Sequence, residues 1–338
     1  MLKCTAAAGQ GAGNAWHGKT STDEVPNARG WGAVKDSRSY SLLTDAKTSV
    51  LFRMMTFPAY QSFLDFNSSN IAPLAIGVYE NGSAVGLALL CTDAGADETT
   101  LLSIFVSSRF RRRGIALELM QKTLKHCEKN GIRHISASYM TGQNSTQALE
   151  NIFNKTCWTI PQTRMMVMHA SLESIKTAPW FTRRKRLPAS HEVLPWAQVT
   201  VAERALISVS NSQETWIDPN FSPFDLEESF EPKTSVALRV NGVIVGWLLT
   251  HAINGNLRLT GLFIKQNFRS SGGMRLLVDA VIALIPEAGF SVAMWAILSS
   301  NKNMVDFVCK QVQPYTIFSG ETRGVTIQLD NYNKVSGQ

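Results

Sequence analysis

An arginine-rich turn is the stretch of this chain with the clearest capacity for chemistry. It spans residues 107–116 and ends in three arginines, a glycine and two apolar residues: Arg111, Arg112, Arg113, Gly114, Ile115 and Ala116. The glycine lets the backbone approach a ligand closely, and small Ala116 leaves room for it. The free amides and dipole of a following helix would favour an anion, and guanidinium groups would add charge-assisted hydrogen bonds. The turn therefore predicts a site for a pyrophosphate or similar polyanion. An exposed basic turn before an ordinary surface helix is the alternative.

The residues around this turn have the periodicity of a strand, a helix and a second strand. Residues 101–106 form an apolar run of strand length before the turn. After the turn, apolar side chains recur at the spacing of an amphipathic helix: Leu117, Met120, Leu124 and Cys127. Asn130 and Gly131 predict the end of that helix, because both tolerate a left-handed cap. Residues 132–139 then alternate as a strand does.

The pattern Arg111-x-x-Gly114-x-Ala116, set between a strand and a helix, resembles the acyl-CoA pyrophosphate loop of the GNAT N-acetyltransferases. The resemblance implies that acetyl-CoA is the co-substrate and is bound by residues 111–116. It also implies that backbone amides near Phe105 and Val106 meet the thioester oxygen, where family members splay their central strands.

The same resemblance implies a contact for the pantetheine arm. Asn144 matches an asparagine that commonly meets this arm in the family, and a plain helix cap is a compatible second role. A tyrosine that often serves the family as general acid has no match, because the corresponding segment, residues 152–155, reads Ile-Phe-Asn-Lys.

The second half of the chain repeats the first. The Asn-Gly hairpin at Asn81 recurs at Asn241, 160 positions later (241 − 81), and the turn at Arg111 recurs at Arg269, 158 positions later (269 − 111). We therefore expect an α/β fold of two tandem GNAT-like domains, each with a mixed sheet that becomes parallel between its fourth and fifth strands. The predicted ranges are 1–38 for a flexible N-terminal extension, 39–170 for an acyl-CoA-binding domain, 171–190 for a basic linker and 191–332 for a degenerate domain.

The two copies of the turn are not equivalent. The second copy keeps Arg269 and Gly272 but replaces two arginines by Ser270 and Ser271, and it places Met274 where the family has glycine or alanine. We expect less charge and a crowded approach there. The first half is therefore predicted to bind acyl-CoA and the second to be weakened or vacant.

Acyl transfer to an amine needs a group that takes the proton of the amine, whose pKa is near 10.4 when it resembles lysine. Glu98, ahead of the central strand, is the candidate base, with Asp97 as its neighbour, and Tyr139 is the candidate acid. A surface-turn role for Glu98 and a packing role for Tyr139 are the alternatives. The acceptor is an amine of a small molecule or a protein.

Composition limits the other classes of function. The chain has 338 residues, 44% hydrophobic content, five scattered cysteines and a formal net charge of +7. It shows no run of membrane-spanning length and no signal peptide, so a cytoplasmic protein with reduced cysteines is expected. Histidine and cysteine spacings predict no metal site, and no G-x-S-x-G motif of a serine hydrolase occurs.

Three further features of the sequence have more than one interpretation. Residues 13–20 match the P-loop pattern, but they lack a strand before and a helix after, so we treat the match as coincidence. Four basic residues at 183–186 indicate a solvated linker, with a nuclear address or a phosphate contact as alternatives. A GNAT-fold binding or regulatory module without turnover stays open, as does association with nucleic acid through the basic turns. The oligomeric state is not predicted.

Overall fold

The computed structural model describes residues 38–67, 71–93, 98–179 and 188–331. Two compact units divide the chain. Unit 1 comprises Met1–Thr163 with Thr322–Gln338, and unit 2 comprises Arg164–Glu321. The P-loop match, Asp97 and the basic run at 183–186 lie outside the described residues.

Unit 1 has a six-stranded mixed sheet. Its strands, numbered in chain order over both units, are β1 (Arg38–Leu43), β2 (Ile71–Glu80), β3 (Ser83–Asp93), β4 (Glu98–Val106), β5 (His134–Met140) and β12 (Phe318–Gln328). Neighbours in the order β1-β2-β3-β4-β5-β12 pair antiparallel, except for the parallel pair β4–β5. The helices are α1 (Ala46–Ser49), α2 (Ile115–Lys129) and α3 (Thr146–Lys155), with 3₁₀ segments at Val50–Met55 and Pro58–Asp65.

Unit 2 repeats this arrangement. Its strands are β6 (Gln162–Ser171), β7 (His191–Pro195), β8 (Val236–Val240), β9 (Val243–Ile253), β10 (Asn256–Ile264) and β11 (Val292–Leu298). They lie in the order β7-β8-β9-β10-β11-β6, and β10–β11 is the parallel pair. The helices are α4 (Leu172–Lys176), α5 (Val201–Gln213), α6 (Pro223–Leu226), α7 (Gly273–Leu284) and α8 (Lys302–Gln311). The predicted change to parallel pairing between the fourth and fifth strands is confirmed in both units.

Two Asn-Gly turns place the repeated hairpins as the sequence predicts. Asn81 and Gly82 have φ angles of 52° and 78°, and Asn241 and Gly242 have φ angles of 49° and 80°. A two-residue turn with both residues left-handed matches the twist of the flanking strands, which is why asparagine and glycine are favoured there.

Apolar side chains cover both faces of each sheet. In unit 1, one cluster joins β4 and β5 to α2 and α3, and a second packs on the opposite face around Phe52 and Leu64. In unit 2, α7 lies on a cluster that contains Leu257 and Leu277, whereas the opposite face carries an aromatic cluster that includes Trp196 and Trp247. Among the described residues, none of the helices is long and apolar enough to cross a membrane.

The last strand of each sequence half belongs to the sheet of the other unit. β6 pairs with β11 in unit 2, and β12 pairs with β5 in unit 1. Hydrophobic alternation identifies a strand but carries no information about its partner. The predicted domain limits stay a prediction. Within them, α4 lies inside the predicted linker, 171–190.

Candidate functional site

A bulge in β4 opens the middle of the unit 1 sheet. Leu89 of β3 faces Ser103 and Leu90 faces Leu101, so Leu102 is the extra residue. The parallel ladder between β4 and β5 covers Glu98–Leu101 against His134–Ala137 and ends there, one residue before the bulge. β4 nevertheless continues to Val106. The two central strands therefore separate toward their carboxyl ends and leave a cleft between unpaired backbone edges.

The predicted anion-binding turn lies at the end of β4 that borders this cleft. Its backbone is left-handed at Arg112 and at Gly114, with φ angles of 65° and 78°. α2 then begins at Ile115 without a side-chain cap, and its first helical bond runs from the amide of Glu118 to the carbonyl of Gly114. The amides of Ile115 and Ala116 consequently have no acceptor within the helix. Alternating left-handed residues and free amides form a concave surface suited to an anion.

Arg111 ties the turn to the strand. Its Nε atom donates to the carbonyl oxygen of Val106 at 2.9 Å, and its guanidinium lies 5.9 Å from the centre of the Phe105 ring. Arg269 makes the same bond in unit 2, from Nε to the carbonyl of Ile264 at 3.1 Å. The arginine shared by both copies therefore has a structural role. Its retention in unit 2 is not evidence of an anion site there.

Arg113 belongs to a polar network that begins at a buried carboxylate. The side chain of Glu80 is 1% exposed and forms ion pairs with Arg113 at 3.2 Å and with Arg38 at 3.3 Å. Arg38 also pairs with Glu118 of α2 at 3.2 Å, and the hydroxyl of Tyr40 donates to the same carboxylate. The hydrogen bond from Tyr40 lowers the pKa of Glu118. The network fixes Arg113 beside the turn, with nearly half of its side chain exposed to a ligand.

The remaining predicted contacts fall around the same cleft. Val106 and Phe105 end β4, Ile115 is buried in the core beneath α2, and Ala116 packs beside it. Asn144 is exposed in the turn after β5, whereas the first cap position of α3 is Ser145, without a side-chain cap bond. The helix-cap role suggested for Asn144 is therefore wrong, because α3 begins one residue too late for it.

The two candidate catalytic residues differ in their position relative to the cleft. Glu98 is exposed at the first residue of β4, and the length of this nine-residue strand puts it about 26 Å from Val106. Tyr139 donates to Glu150 at 2.7 Å, and Arg323 binds the same carboxylate at 2.9 Å. Burial, reinforced by this hydrogen bond, raises the pKa of Tyr139. Tyr139 lies in β5 two residues beyond Ala137, where the cleft begins. Both residues stay predictions as catalysts, because Glu98 lies far from the cleft and the Tyr139 hydroxyl is engaged by Glu150.

Unit 2 repeats the bulge and the left-handed glycine of unit 1, but not the whole turn or its charges. Its 3₁₀ segment covers Gln266–Ser271 and reaches the glycine, whereas that of unit 1 ends at Phe110 and is followed by left-handed Arg112. Thr260 is the bulged residue of β10, and the ladder with β11 ends at Leu259. Gly272 has a φ angle of 82°, and the amide of Leu276 bonds to its carbonyl, as at the start of α2. The side chain of Met274 packs against the apolar core of unit 2. Lower charge and the lack of a left-handed residue at the position of Arg112, rather than the predicted crowding by methionine, are therefore the main differences.

Sequence reasoning missed the network and the bulges. Arg38, Glu80 and Glu118 are far apart along the chain, and only the pairing of β1 with β2 and the position of α2 bring them together. Among the described residues, no group of three or more His, Cys, Asp or Glu side chains could hold a metal ion.

Comparison with solved structures supports the fold. A tandem GNAT protein from the clavulanic acid biosynthesis pathway, solved without acetyl-CoA, superposes with a TM-score of 0.55 at 13% identity, covering 87% of this chain and 99% of that one. A GCN5-related N-acetyltransferase from Sphaerobacter thermophilus gives 0.53 at 14% identity, covering 75% and 80%. A GCN5-related glucosamine N-acetyltransferase region of a fungal multi-domain β-N-acetylglucosaminidase gives 0.53 at 10% identity, covering 89% and 39%.

Comparison of the sequence gives the family. No curated protein matches the chain in sequence. The model of the acetyltransferase (GNAT) family matches twice, at residues 40–150 and 204–310, which together make up more than half of the chain. The first match contains the bulge, the cleft and the turn of unit 1, and the second contains their counterparts in unit 2. The chain therefore belongs to the acetyltransferase (GNAT) family, with two GNAT regions in tandem.

Proposed function

We propose that unit 1 binds acetyl-CoA and that the protein transfers the acetyl group to an amine of a small molecule or a protein. One observation carries the proposal. The cleft that opens at the Leu102 bulge leads directly to the uncapped start of α2. A long ligand with a pyrophosphate at one end and an extended arm would find anion donors in the turn and unpaired backbone along the cleft.

The residues of the turn fit a pyrophosphate. The amides of Ile115 and Ala116 lack helical acceptors, and the dipole of the fifteen-residue helix α2 adds positive potential. Arg112 and Arg113 supply guanidinium groups at the rim, and Arg113 is already held in place by Glu80. Preorganised donors of this kind bind without the entropic cost of ordering long side chains.

The alternation of β4 assigns roles to its last residues. The amide of Ser107 donates to Val85 of β3, so Phe105, two residues earlier, also directs its amide toward β3. Ile104 and Val106 therefore direct theirs into the cleft. This favours Val106 over Phe105 as a backbone donor to the thioester oxygen, and we assign Asn144, exposed beyond β5, to the pantetheine arm.

Acetyl-CoA supplies an acyl group activated as a thioester. The acceptor amine must lose a proton. Glu98 lies far from the cleft, and the Tyr139 hydroxyl is engaged by Glu150, so we assign neither of them as the group that takes it. We therefore propose that water in the cleft accepts this proton from the amine. The cleft opens at the surface beside the exposed turn.

Calorimetric titration of acetyl-CoA into the full chain tests the proposal. We expect about one acetyl-CoA per chain, with binding lost in Gly114→Trp and retained in Gly272→Trp. The two variants are matched, because both glycines have φ angles near 80° and tryptophan is equally strained at either position. Two equivalent sites, or binding that fails only in Gly272→Trp, would overturn the assignment. Release of free CoA with a panel of amines then measures transfer.

A second function, acyl-CoA binding without efficient turnover, is favoured by one observation. Tyr139 is committed to Glu150, and the segment where the family often has a catalytic tyrosine lies in α3 with Phe153 buried in the core. Binding in the calorimeter together with no CoA release on any amine would support this function over transferase activity.

A further inference from the structure

Four side chains form a row across the sheet of unit 2. In register, His251 of β9 faces Arg258 of β10, Arg258 faces Met294 of β11, and Met294 faces His169 of β6. Their neighbours along each strand, such as Leu257 and Leu259, pack against the core beneath α7. Because side chains alternate along a strand, the row lies on the opposite face of the sheet.

The fold does not require a charge in this row. The equivalent row of unit 1, by the same registers, consists of uncharged side chains: Cys91, Thr100, Ser136 and Thr326. Thr100 and Ser136 form a hydrogen bond at 3.5 Å. Arg258 therefore occupies the position of a threonine whose hydroxyl has a hydrogen-bond partner on the neighbouring strand.

Arg258 has no local partner. It is half-buried, and it forms no hydrogen bond or ion pair with any residue that the structure describes. Glu228 and Glu231, the acidic residues on the adjoining segment, are engaged through their backbone with β9, at His251 and Thr250. Burial lowers the pKa of the Arg258 guanidinium. A partly desolvated cation without a partner is costly, and buried charges in proteins are normally paired, so an anionic ligand would supply the missing partner.

The sheet beside Arg258 is open. Ala296 and Leu298 follow Met294 on the same face of β11, a strand with neighbours on both sides, and both are exposed, Leu298 to 42%. The ladder between β10 and β11 ends at Leu259 and Trp295, so the strands also diverge there. A small molecule could lie over Ala296 and Leu298 with its anionic end at Arg258.

The two histidines differ in what they offer a ligand. Both ring nitrogens of His251 are engaged: Nε2 donates to the carbonyl of Glu228 at 3.1 Å, and Nδ1 lies 2.8 Å from the hydroxyl of Thr260. His169 packs beside Phe318 with ring centres 4.9 Å apart and ring planes tilted by 37°, and burial lowers its pKa. His169 can thus donate a hydrogen bond, and Arg258 supplies the charge.

We propose that unit 2 binds an oxyanion, the carboxylate or phosphate group of a small molecule, on this face, with Arg258 as the charged contact and His169 as a hydrogen-bond donor. The site is independent of the turn of unit 1 and of the proposed acetyl-CoA binding, because all of its residues lie in unit 2.

Arginine side-chain NMR of the full chain tests this proposal. The Nε–H signal of Arg258 is identified as the one that Arg258→Met lacks, and it is followed while phosphate or acetate replaces chloride at constant ionic strength. We expect a saturable shift with at least one of the two anions, and the tighter anion identifies the group recognised. Loss of a charge-assisted contact corresponds to roughly tenfold weaker binding, so His169→Gln should weaken it severalfold at least. Arg53, paired with Asp65 in unit 1, is the control signal and should not saturate.

Removal of an unpartnered charge should not destabilise the protein. We therefore expect Arg258→Met to melt in chloride at the wild-type temperature or above it, and Arg53→Met to melt slightly below. An Arg258 signal that does not respond to either anion would overturn the proposal. So would an Arg258→Met protein that unfolds or melts well below the wild type, because this would reveal a structural partner for the charge.

Discussion

The turns at Gly114 and Gly272 share part of their backbone and differ in the side chains around them. Each follows a strand with a bulge nine residues before the conserved arginine, at Leu102 and Thr260, and each places a left-handed glycine before an uncapped helix. The arginine bond to the strand carbonyl also recurs. These shared features are the ones that shape the backbone.

The polar network around the turn occurs in unit 1 alone. By the registers of the paired strands and the offset of 158 between the turns, Arg38, Tyr40, Glu80, Arg113 and Glu118 correspond to residues of mostly apolar character: His191, Val193, Val240, Ser271 and Leu276. Val240 is buried in the apolar core where unit 1 buries the carboxylate of Glu80. Duplication has therefore kept the cleft in both units but kept the positioned cation in only one.

This difference shows which features of the sequence specify a binding site. Backbone geometry provides the free amides, and these are common to both units. The buried carboxylate adds a rigid cation at the rim of one turn, which an isolated arginine on a flexible stem would not provide. The geometry of a family turn is thus weaker evidence for ligand binding than the residues that hold its charges.

Charge reversal at the turn should have the largest effect. Arg113→Glu would set a carboxylate against the buried Glu80 and against the incoming anion, so we expect acetyl-CoA to bind at least about 100-fold more weakly. Ser271→Glu, the matched change in unit 2, should leave the affinity within about threefold. Calorimetry measures both. Equal losses in the two variants would show that the asymmetry between the units is not real.

Neutralising the buried carboxylate should have the next largest effect. Glu80→Gln keeps the shape of the side chain but leaves Arg38 and Arg113 without their shared counter-ion, and we expect a loss of about 1–3 kcal/mol in the free energy of unfolding. Arg53→Gln, which breaks the more exposed pair with Asp65, should cost less than about 1 kcal/mol. Urea denaturation compares the two. A smaller loss at Glu80 than at Arg53 would mean that the network does not hold the turn.

Much of this architecture was predictable from local sequence. Asn81-Gly82 and Asn241-Gly242 specify hairpins through their left-handed backbone, and Arg111 to Ala116 specify a turn and a helix start. Both signals depend on residues adjacent in the chain. The recurrence of both at nearly one offset gave the tandem fold, which the family comparison confirms.

Pairing between distant segments was not predictable from one sequence. β6 and β12 have strand patterns, but the choice of β11 and β5 as their partners depends on which edges are free in the folded sheets. The same limit applies to Tyr139, whose position at the end of a strand suggested an acid. Its hydrogen bond to Glu150 of α3 depends on how the helix packs.

The smallest predicted effect concerns the outer end of the network. Tyr40→Phe removes the hydroxyl that donates to Glu118 and keeps the ring that lies under Lys122, so only the hydrogen bond is lost. That hydrogen bond is the main reason that the pKa of Glu118 is lowered in the folded state. The bond therefore stabilises the folded protein fully above the pKa of an unfolded glutamate, near 4.3. This stabilisation is lost as the pH falls through the lower pKa of Glu118 in the folded state. The carboxylate is about half exposed, so we expect a loss of less than about 1 kcal/mol at pH 7, shrinking below pH 4.

Urea denaturation of the wild type, Tyr40→Phe, Glu118→Gln and the double variant at pH 7 and pH 3 measures the coupling directly. A coupling that persists at pH 3 would show that the hydroxyl stabilises unit 1 through packing rather than through the ionised carboxylate. Val193→Thr in unit 2, where Leu276 replaces the carboxylate, should show no such change with pH.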